Sequence, residues 1–441
     1  MAPKQRRRGQ TIDSIYRSDN LAQLMKLGAK TSRHRYLQDF KSFGFALVLA
    51  LIAQTAIYIT LGTRYGDPHW PAVIVVCLVM IGVPLLSAFT LTAFRRTAAP
   101  IVTTVLVTAI YFSFAVTLLS ALRVSVSYLA LAVVFPVTAA IVSLGNIRFQ
   151  SAIFSHVALI RFEGDAAVRQ LLTSAHVSSI TDPGADISNF DVVVIDPVHH
   201  HSEEWSALLA RCYLSGVEIM PWSKFLEVRF GRVDIAQFDL TRLNYNPSQR
   251  LYARIKRILD ILAVLLTLPL TLLLAAVVAA YIFLRDGGPV MFVQHRRGQG
   301  GCTFRLYKFR TMYKGTGGGS TASGDNRIIP GCGFFRRTRL DELPQIFNIL
   351  RGEMTLIGPR PVAMYVAKAA ETLEPRYNLR TLVLPGITGW AQVNAGYAET
   401  AEEEITKLAY DLYYIKHFSL DLDMQIIFRT VTTVIFGFGA R

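Results

Sequence analysis

Cysteine is scarce in this chain. Cys77, Cys212, Cys302 and Cys332 are the only four among 441 residues, and no two form a CxxC pair. That spacing excludes a zinc ribbon and a disulfide framework and leaves structural thiols. Acids are also in short supply, 31 against 46 lysines and arginines, for a formal net charge of +15. A basic excess suits nucleic acid, anionic lipid or a phosphorylated substrate. No basic module interleaved with aromatics accompanies it, so nucleic acid is not expected as a partner. Charge of either sign is nearly absent from four stretches, near 43–62, 71–94, 100–121 and 125–145. Each is about twenty residues long, the length a helix needs to cross the hydrocarbon core. Transporters place ionisable residues inside their spans, and the dearth of them here disfavours translocation. The chain opens with MAPKQRRRGQ and not with an apolar run, so residues 1–42 are expected to form a basic tail and not a signal peptide.

Flanking charges give the spans a direction. The tail is rich in Lys and Arg, Arg95 and Arg96 lie between the second and third spans, and Arg148 follows the fourth. The opposite connections carry only Arg64 and Arg123. The positive-inside rule then places the N-terminus and everything after residue 146 in the cytoplasm, with four transmembrane helices over 43–146. A fifth apolar run, KRILDILAVLLTLPLTLLLAAVVAAYIFLRDG from residue 256, has two readings. One is a further crossing that exports the C-terminal half. The other is a helix–break–helix over 250–286 that enters and leaves by one face. Lys256 and Arg257 at one end, Arg285 at the other and Pro269 in mid-run favour the re-entrant form.

Residues 150–245 change character. HVALIRF, DVVVIDP and GVEIMPW are short apolar runs, separated by helix-compatible DAAVRQLLTSA and SEEWSALLARCYLS. The alternation predicts a small parallel α/β domain, Rossmann-like in pattern. FEGDAAV follows the first strand and lacks the GxGxxG phosphate fingerprint, so a structural or regulatory module stands beside a nucleotide-binding one. His199, His200 and His201 are adjacent on a loop, where side chains diverge, and read as a solvated turn and not a metal site.

The region 287–441 is dense in motifs. GPVMFVQHRRGQGGCTFRLYKFRTM alternates apolar and basic residues like a strand pair and ends in Lys308 and Arg310, both candidate substrate-binding cations. The glycine-rich stretch 315–324 reads as a mobile loop or a linker. LDMQIIFRTVTTVIFGFG suits a helix on the membrane surface or one packed in a core. In RRTRLDELPQIFNIL, Asp341 and Glu342 sit side by side among arginines. Thr338 or Asp341 can cap a helix with Pro344 in its first turn, and the dipole there keeps a carboxylate ionised. An ionised Asp341 can attack phosphorus, while Glu342, projecting elsewhere, can hold Mg²⁺. The surrounding cations can bind phosphate oxygens. A capped helix with surface ion pairs remains the other reading of the same string.

Together, KFRTM, FFRRTRLDELPQIFNILRGEMTLIGPRP and PGITGWAQV resemble the bacterial sugar transferase family, the polyprenyl-phosphate hexose-1-phosphate phosphotransferases. The resemblance runs from about residue 250 onward, and the front end is similar to the large, WbaP-type architecture. It implies transfer of a sugar phosphate from a UDP-sugar to undecaprenyl phosphate, release of UMP, and the start of exopolysaccharide, capsule or O-antigen assembly at the bacterial inner membrane. Position by position it implies Asp341 as the nucleophile that carries a covalent phosphosugar. Glu342 is tied to Mg²⁺, with Mn²⁺ as substitute, and Lys308, Arg336 and Arg360 bind phosphate. Pro359 and Pro361 flank Arg360, and Pro269 marks the bend of the membrane helix. Gln392 and Asn394 are candidates for the nucleotide or sugar pocket. The glycine-rich loop departs from the family pattern, so no contact is carried over from it. The front helices are expected to serve assembly, with a homodimer as the form. A catalytically inactive scaffold or a transporter component is the competing class.

Overall fold

A computed structural model describes residues 40–64, 69–93, 99–152, 156–162, 165–171, 177–187, 189–196, 198, 203–236, 238–239, 247–315, 326–395 and 400–436. The basic tail, Arg95 and Arg96, the histidine run and most of the glycine-rich loop lie outside them. The described residues divide into two compact units, with the boundary between Arg229 and Phe230.

The first unit opens with four apolar helices: α1 (Gly44–Gly62), α2 (Trp70–Ala93), α3 (Pro100–Ala121) and α4 (Tyr128–Ala152). All four are long and apolar enough to cross a membrane. Their outer faces present Phe45, Phe89, Ile110 and Phe114, which in water would be a liability and in lipid is the expected surface. Inside, small residues let backbones approach: a Cβ on Gly145 of α4 would lie 2.7 Å from Ala46 Cβ of α1. Polar groups pair across helices. Gln54 Nε2 donates to Met80 O at 3.1 Å, and Asn146 Nδ2 donates to Thr104 Oγ1 at 2.9 Å and Pro100 O at 3.1 Å. Helix α4 outlasts its expected end at 145 because Asn146 finds these partners on α3 and Phe149 packs on Phe43, ring centroids 5.1 Å apart.

The same unit continues as a four-stranded parallel sheet of β1 (Val157–Ile160), β2 (Val177–Ile180), β3 (Val192–Ile195) and β4 (Glu218–Pro221), in the order β2-β1-β3-β4. Helix α5 (Asp165–Leu171) joins β1 to β2, α6 (Glu203–Leu214) joins β3 to β4, and α7 (Trp222–Phe230) follows β4, while β2 and β3 have no helix between them among the described residues. The inner strands β1 and β3 are buried and accordingly read as unbroken apolar runs. The edge strand β2, VSSI, exposes its two serines and offers no such run. This module ends earlier than 245: Val233 N–H donates to Ala409 O at 3.1 Å and Trp390 Nε1 to Gly231 O at 2.6 Å, and Val233, Ile235 and Phe238 pack into the second unit's core.

The second unit is built on one 40-residue helix, α8 (Pro247–Asp286). It continues through Pro269 as a single helix, so no loop separates its halves. Its middle presents Leu265, Leu266, Leu270 and Leu273 outward, Leu266 84% exposed. Both ends are fastened to the same body. Near the start, Tyr252 Oη and Lys256 Nζ each donate to Asp423 Oδ2 at 2.5 Å, and Thr355 donates to Asp260. At the finish, Arg310 holds the Asp286 carboxylate at 2.5 Å.

After α8 comes an antiparallel pair, β5 (Met291–Arg297) and β6 (Thr303–Phe309), in a register that sets Arg296 opposite Phe304 and Lys308 opposite Phe292. Then follow α9 (Cys332–Arg337), a 3₁₀ helix over Leu340–Gln345, and α10 (Ile346–Arg351). Next are β7 (Thr355–Ile357), α11 (Met364–Leu373), a 3₁₀ helix over Pro375–Leu382, β8 (Gly386–Thr388) and α12 (Trp390–Ala395). The last helices are α13 (Ala401–Lys416), closed by a Thr400/Glu403 capping box, and α14 (Leu420–Phe436). Helix α14 buries Leu422 and Ile426 in the core with Tyr377, Trp390, Leu412 and Tyr414.

Candidate active site

Two backbone devices place the residues that matter. The first is a strained turn. Helix α9 ends with Thr338 Oγ1 donating back to Phe334 O at 2.8 Å. Arg339 then takes a left-handed conformation, φ +60° and ψ +17°, and starts the 3₁₀ helix without a side-chain cap. A long side chain there is an uncommon, strained choice, of the kind found at functional sites. So neither Thr338 nor Asp341 is the expected cap, and Pro344 lies in the 3₁₀ turn ahead of α10 and not in its first turn. The turn directs Asp341 and Glu342 inward, 9% and 6% exposed.

The second device is a backbone crossing. Strands β7 and β8 pair in parallel, Thr355 with Gly386 and Ile357 with Thr388. Gly358 N–H donates to Thr388 O at 2.8 Å and Gly386 N–H to Pro359 O at 2.9 Å. A Cβ on Gly386 would sit 2.1 Å from Gly358 N, and one on Gly389 would sit 2.2 Å from Gly358 O. Only glycine lets IGPRP and PGITGW lie this close. The crossing fixes the segment Pro359–Arg360–Pro361. Arg380 and Arg296 fasten it further, donating to Arg360 O and Pro361 O, each at 3.2 Å.

At the acid pair the two carboxylates differ. Glu342 accepts from Arg360 Nη2 at 2.8 Å and Arg339 Nη1 at 3.1 Å, both on Oε1. Burial pushes its pKa up, but Arg360, by charge and hydrogen bond, then Arg339 and Lys308, hold it down at about 2. Asp341 Oδ1 is buried with no hydrogen-bond partner among the described residues. Burial, reinforced by the neighbouring Glu342 charge, raises its pKa to about 6 against the pull of Lys308, Arg339 and Arg336. It is still mostly ionised at neutral pH, though the helix dipole is not what keeps it so. A carboxylate that is buried, ionised and unpartnered among cations is poised to react with an electrophile that brings its own negative charge.

The other expected residues separate. Lys308 stands 5.1 Å over the Phe292 ring and within ion-pair distance of no acid among the described residues, yet it feels the charges of Asp341 and Glu342. Burial and the neighbouring Arg296 lower its pKa. Arg336 Nη1 reaches Thr311 Oγ1 at 3.4 Å and its charge acts on Asp341. Arg360 lies beside Glu342 with its side chain 38% exposed. Arg310 is placed elsewhere: it is buried and donates to Asp286, to Pro289 O at 2.7 Å and to Gly287 O at 2.8 Å, locking the end of α8. Gln392 Nε2 donates to Ile387 O at 3.0 Å, and Asn394 is bonded to Trp390 O and Arg429, so both brace α12. The residue that sequence reasoning missed is Arg296. It lies on the same face of the β5–β6 pair as Lys308, Phe304 and Leu306. Two cations on the face that carries buried Phe304 and Leu306 break the usual alternation, and that is the signal that could have found it.

The family model for bacterial sugar transferases matches residues 251–437. A UDP-N-acetylgalactosamine-undecaprenyl-phosphate N-acetylgalactosaminephosphotransferase of Aeromonas hydrophila is 41% identical over 263 residues, 59% of this chain and 62% of that one. A UDP-glucose:undecaprenyl-phosphate glucose-1-phosphate transferase of Xanthomonas campestris pv. campestris is 44% identical over 181 residues, 40% of this chain and 37% of that one. Its namesake from Caulobacter vibrioides is 38% identical over 185 residues, 41% of this chain and 69% of that one. The chain thus spans less than two thirds of the first two of these relatives.

Proposed function

The chain belongs to the bacterial sugar transferase family, and on that premise we propose that it transfers a hexose 1-phosphate from a UDP-sugar to undecaprenyl phosphate, releasing UMP. The observation that carries this reading is Asp341, a buried carboxylate with an unpartnered oxygen, set among cations. One Asp341 oxygen attacks the sugar-bearing phosphorus of the donor. The bond from that phosphorus to the bridging oxygen breaks, and UMP leaves with the oxygen and its electron pair. An oxygen of undecaprenyl phosphate then attacks the same phosphorus, the aspartyl O–P bond breaks, and the carboxylate returns. Lys308, Arg336 and Arg360 hold phosphate oxygens through both displacements, and such charge stabilisation carries most of phosphoryl-transfer catalysis.

The acid pair fits a divalent cation. Asp341 Oδ1 has no hydrogen-bond partner among the described residues, and Glu342 keeps lone-pair capacity after accepting from its arginines on both oxygens. No group of three or more metal-ligating side chains occurs among the described residues. Mg²⁺, or Mn²⁺, would be held by Glu342 with phosphate and water, and when bound it would neutralise diphosphate charge.

Helices α1–α4 cross the bacterial cytoplasmic membrane in this reading, and α8 enters and leaves by the cytoplasmic face, bending at Pro269. Cations at both its ends and the attachment of both ends to one unit support that path. The lipid acceptor then meets a cytosolic donor at headgroup level. The parallel sheet of the first unit serves as a Rossmann-like accessory module, and α1–α4 as an assembly element for a homodimer. The test is Asp341→Asn in lipid nanodiscs with UDP-glucose and UDP-N-acetylgalactosamine. UMP release is expected to vanish, and intact-mass measurement of the wild type with donor alone is expected to find a phosphosugar adduct on Asp341. Near-normal release by the variant sinks the scheme.

A further inference from the structure

Arg296 has an electrostatic problem that its own chain does not solve. Its Nη2 donates to Gln294 Oε1 at 2.7 Å and its Nη1 to Pro361 O at 3.2 Å, both neutral acceptors. Its Nε is buried with no hydrogen-bond partner among the described residues. No carboxylate is paired with it among the described residues. The carboxylate whose charge acts on it most, Glu342, is already taken by Arg360 and Arg339. Its strongest charged neighbour is another cation, Arg360, and burial together with that neighbour lowers its pKa to about 10. Lys308, on the same face of the hairpin, is likewise within ion-pair distance of no acid among the described residues. A partly buried guanidinium beside like charges, without a counter-ion, is costly unless an anion arrives to complete it. Around the acid pair, Lys308, Arg339 and Arg336 act on Asp341, and Arg360, Arg339 and Lys308 on Glu342, while Arg296 feels Arg360 more strongly than it feels Glu342 or Glu404. The local surplus is positive and is framed by a planar fork suited to phosphate.

We infer that Arg296 is a donor-binding residue that grips a diphosphate oxygen of the nucleotide sugar, sharing that charge with Lys308 and Arg360. The inference rests on the reaction proposed above. It predicts a division of labour in which Arg360 keeps Glu342 ionised and in place, Lys308 supplies a point charge, and Arg296 supplies the hydrogen bonds that orient the diphosphate for attack. The competing role is a tether that does no more than hold the PRP segment through Pro361 O.

The two roles separate in one set of measurements on the full chain in nanodiscs. UDP binding is titrated by calorimetry to Asp341→Asn and to the same protein carrying Arg296→Gln or Arg296→Lys. Donor turnover is followed in the otherwise wild-type chain with the same Arg296 changes. Loss of a charge-assisted contact is expected to weaken UDP binding by roughly tenfold to a hundredfold for Arg296→Gln. Arg296→Lys, which keeps the charge and the fold but not the fork, is expected to fall between, with a raised KM. UDP affinity within twofold of the parent in both variants, with kcat alone reduced, assigns the residue to the tether role and overturns the inference. If the wild type releases no UMP and the parent binds no UDP, the proposed reaction fails and takes the inference with it. Normal release by the wild type together with unchanged UDP binding in the variants overturns the inference alone.

Discussion

Replacing Asp341 with asparagine should stabilise the protein at neutral pH while abolishing its chemistry. Counting neighbours suggests the opposite, since Lys308, Arg339 and Arg336 all attract the carboxylate. Yet burial and the Glu342 charge outweigh them and raise its pKa from 3.8 to about 6. At about 1.4 kcal/mol per pKa unit, that shift corresponds to roughly 3 kcal/mol against folding once the group is ionised in both states. The sign follows from linkage. A raised folded-state value favours the folded form fully below the unfolded pKa, and the advantage is lost as pH climbs through about 6. Asparagine removes the titration and keeps the shape. Thermal unfolding of the second unit in nanodiscs at pH 7.5 should therefore rise by about 6–12 °C in the variant, given ~2–4 °C per kcal/mol for a unit of this size. At pH 4 the unfolded carboxylate is half protonated, and the difference should shrink to under ~1 kcal/mol. A variant no more stable than wild type at pH 7.5, or an advantage undiminished at pH 4, would refute the claim that burial dominates at this side chain.

Three further outcomes follow from the same contacts. In wild-type turnover, kcat/KM should be flat above about pH 6 and fall tenfold per unit below it as Asp341 protonates, with no separate limb from Glu342, held at about 2. Arg310→Ala should cost roughly 3 kcal/mol of stability, because it strands Asp286 and the carbonyls of Gly287 and Pro289; KM for the UDP-sugar, measured on the folded fraction, should stay within twofold. Gly386→Ala drives a methyl to 2.1 Å from Gly358 N; the β7–β8 crossing must part, Arg360 shifts, and UMP release should drop on the order of a hundredfold.

Some of this architecture was legible because it depends on period and length. The apolar helices α1–α3 fall within a residue or so of their expected limits. Strands β1 and β3 announce themselves as buried apolar runs, β4 as a shorter apolar stretch, and β5–β6 as an alternating pair. What escaped was set by partners far away in sequence. Strand β2 is an edge whose exposed serines carry no strand signal. The module boundary moved because Gly231 and Val233 bond to Trp390 and Ala409, more than 150 residues on. The glycines of IGPRP and PGITGW look like ordinary turn residues until each is found against the other's backbone.

The basic motifs set a harder problem, because arginines look alike in a string. Arg310 and Arg360 both stand in motif positions, yet one clamps the end of α8 and the other holds Glu342. Arg296 attracted no notice and lies where the charges of Arg360 and Glu342 act on it. The distinction rests on what each guanidinium finds within hydrogen-bond reach, a tertiary fact that neither charge nor spacing encodes. The acid pair makes the same point within two adjacent residues. Asp341 and Glu342 share a turn and near-equal burial. Arg360 bonds the second and not the first, and the two pKa values part to about 6 and about 2. In the proposed reaction that separation divides the work: Asp341, which no arginine bonds, attacks, while Glu342, locked to Arg360 and Arg339, carries a lasting charge that raises its neighbour's pKa. Severing the Arg360–Glu342 pair, by Arg360→Gln, should therefore reach Asp341 as well. Burial would push Glu342 up without its main counter-charge, and the acid limb of turnover would no longer sit near pH 6 with a slope of one. A variant that loses rate but keeps that limb unchanged would show that the two carboxylates act independently, and the coupling argued for this turn would be wrong.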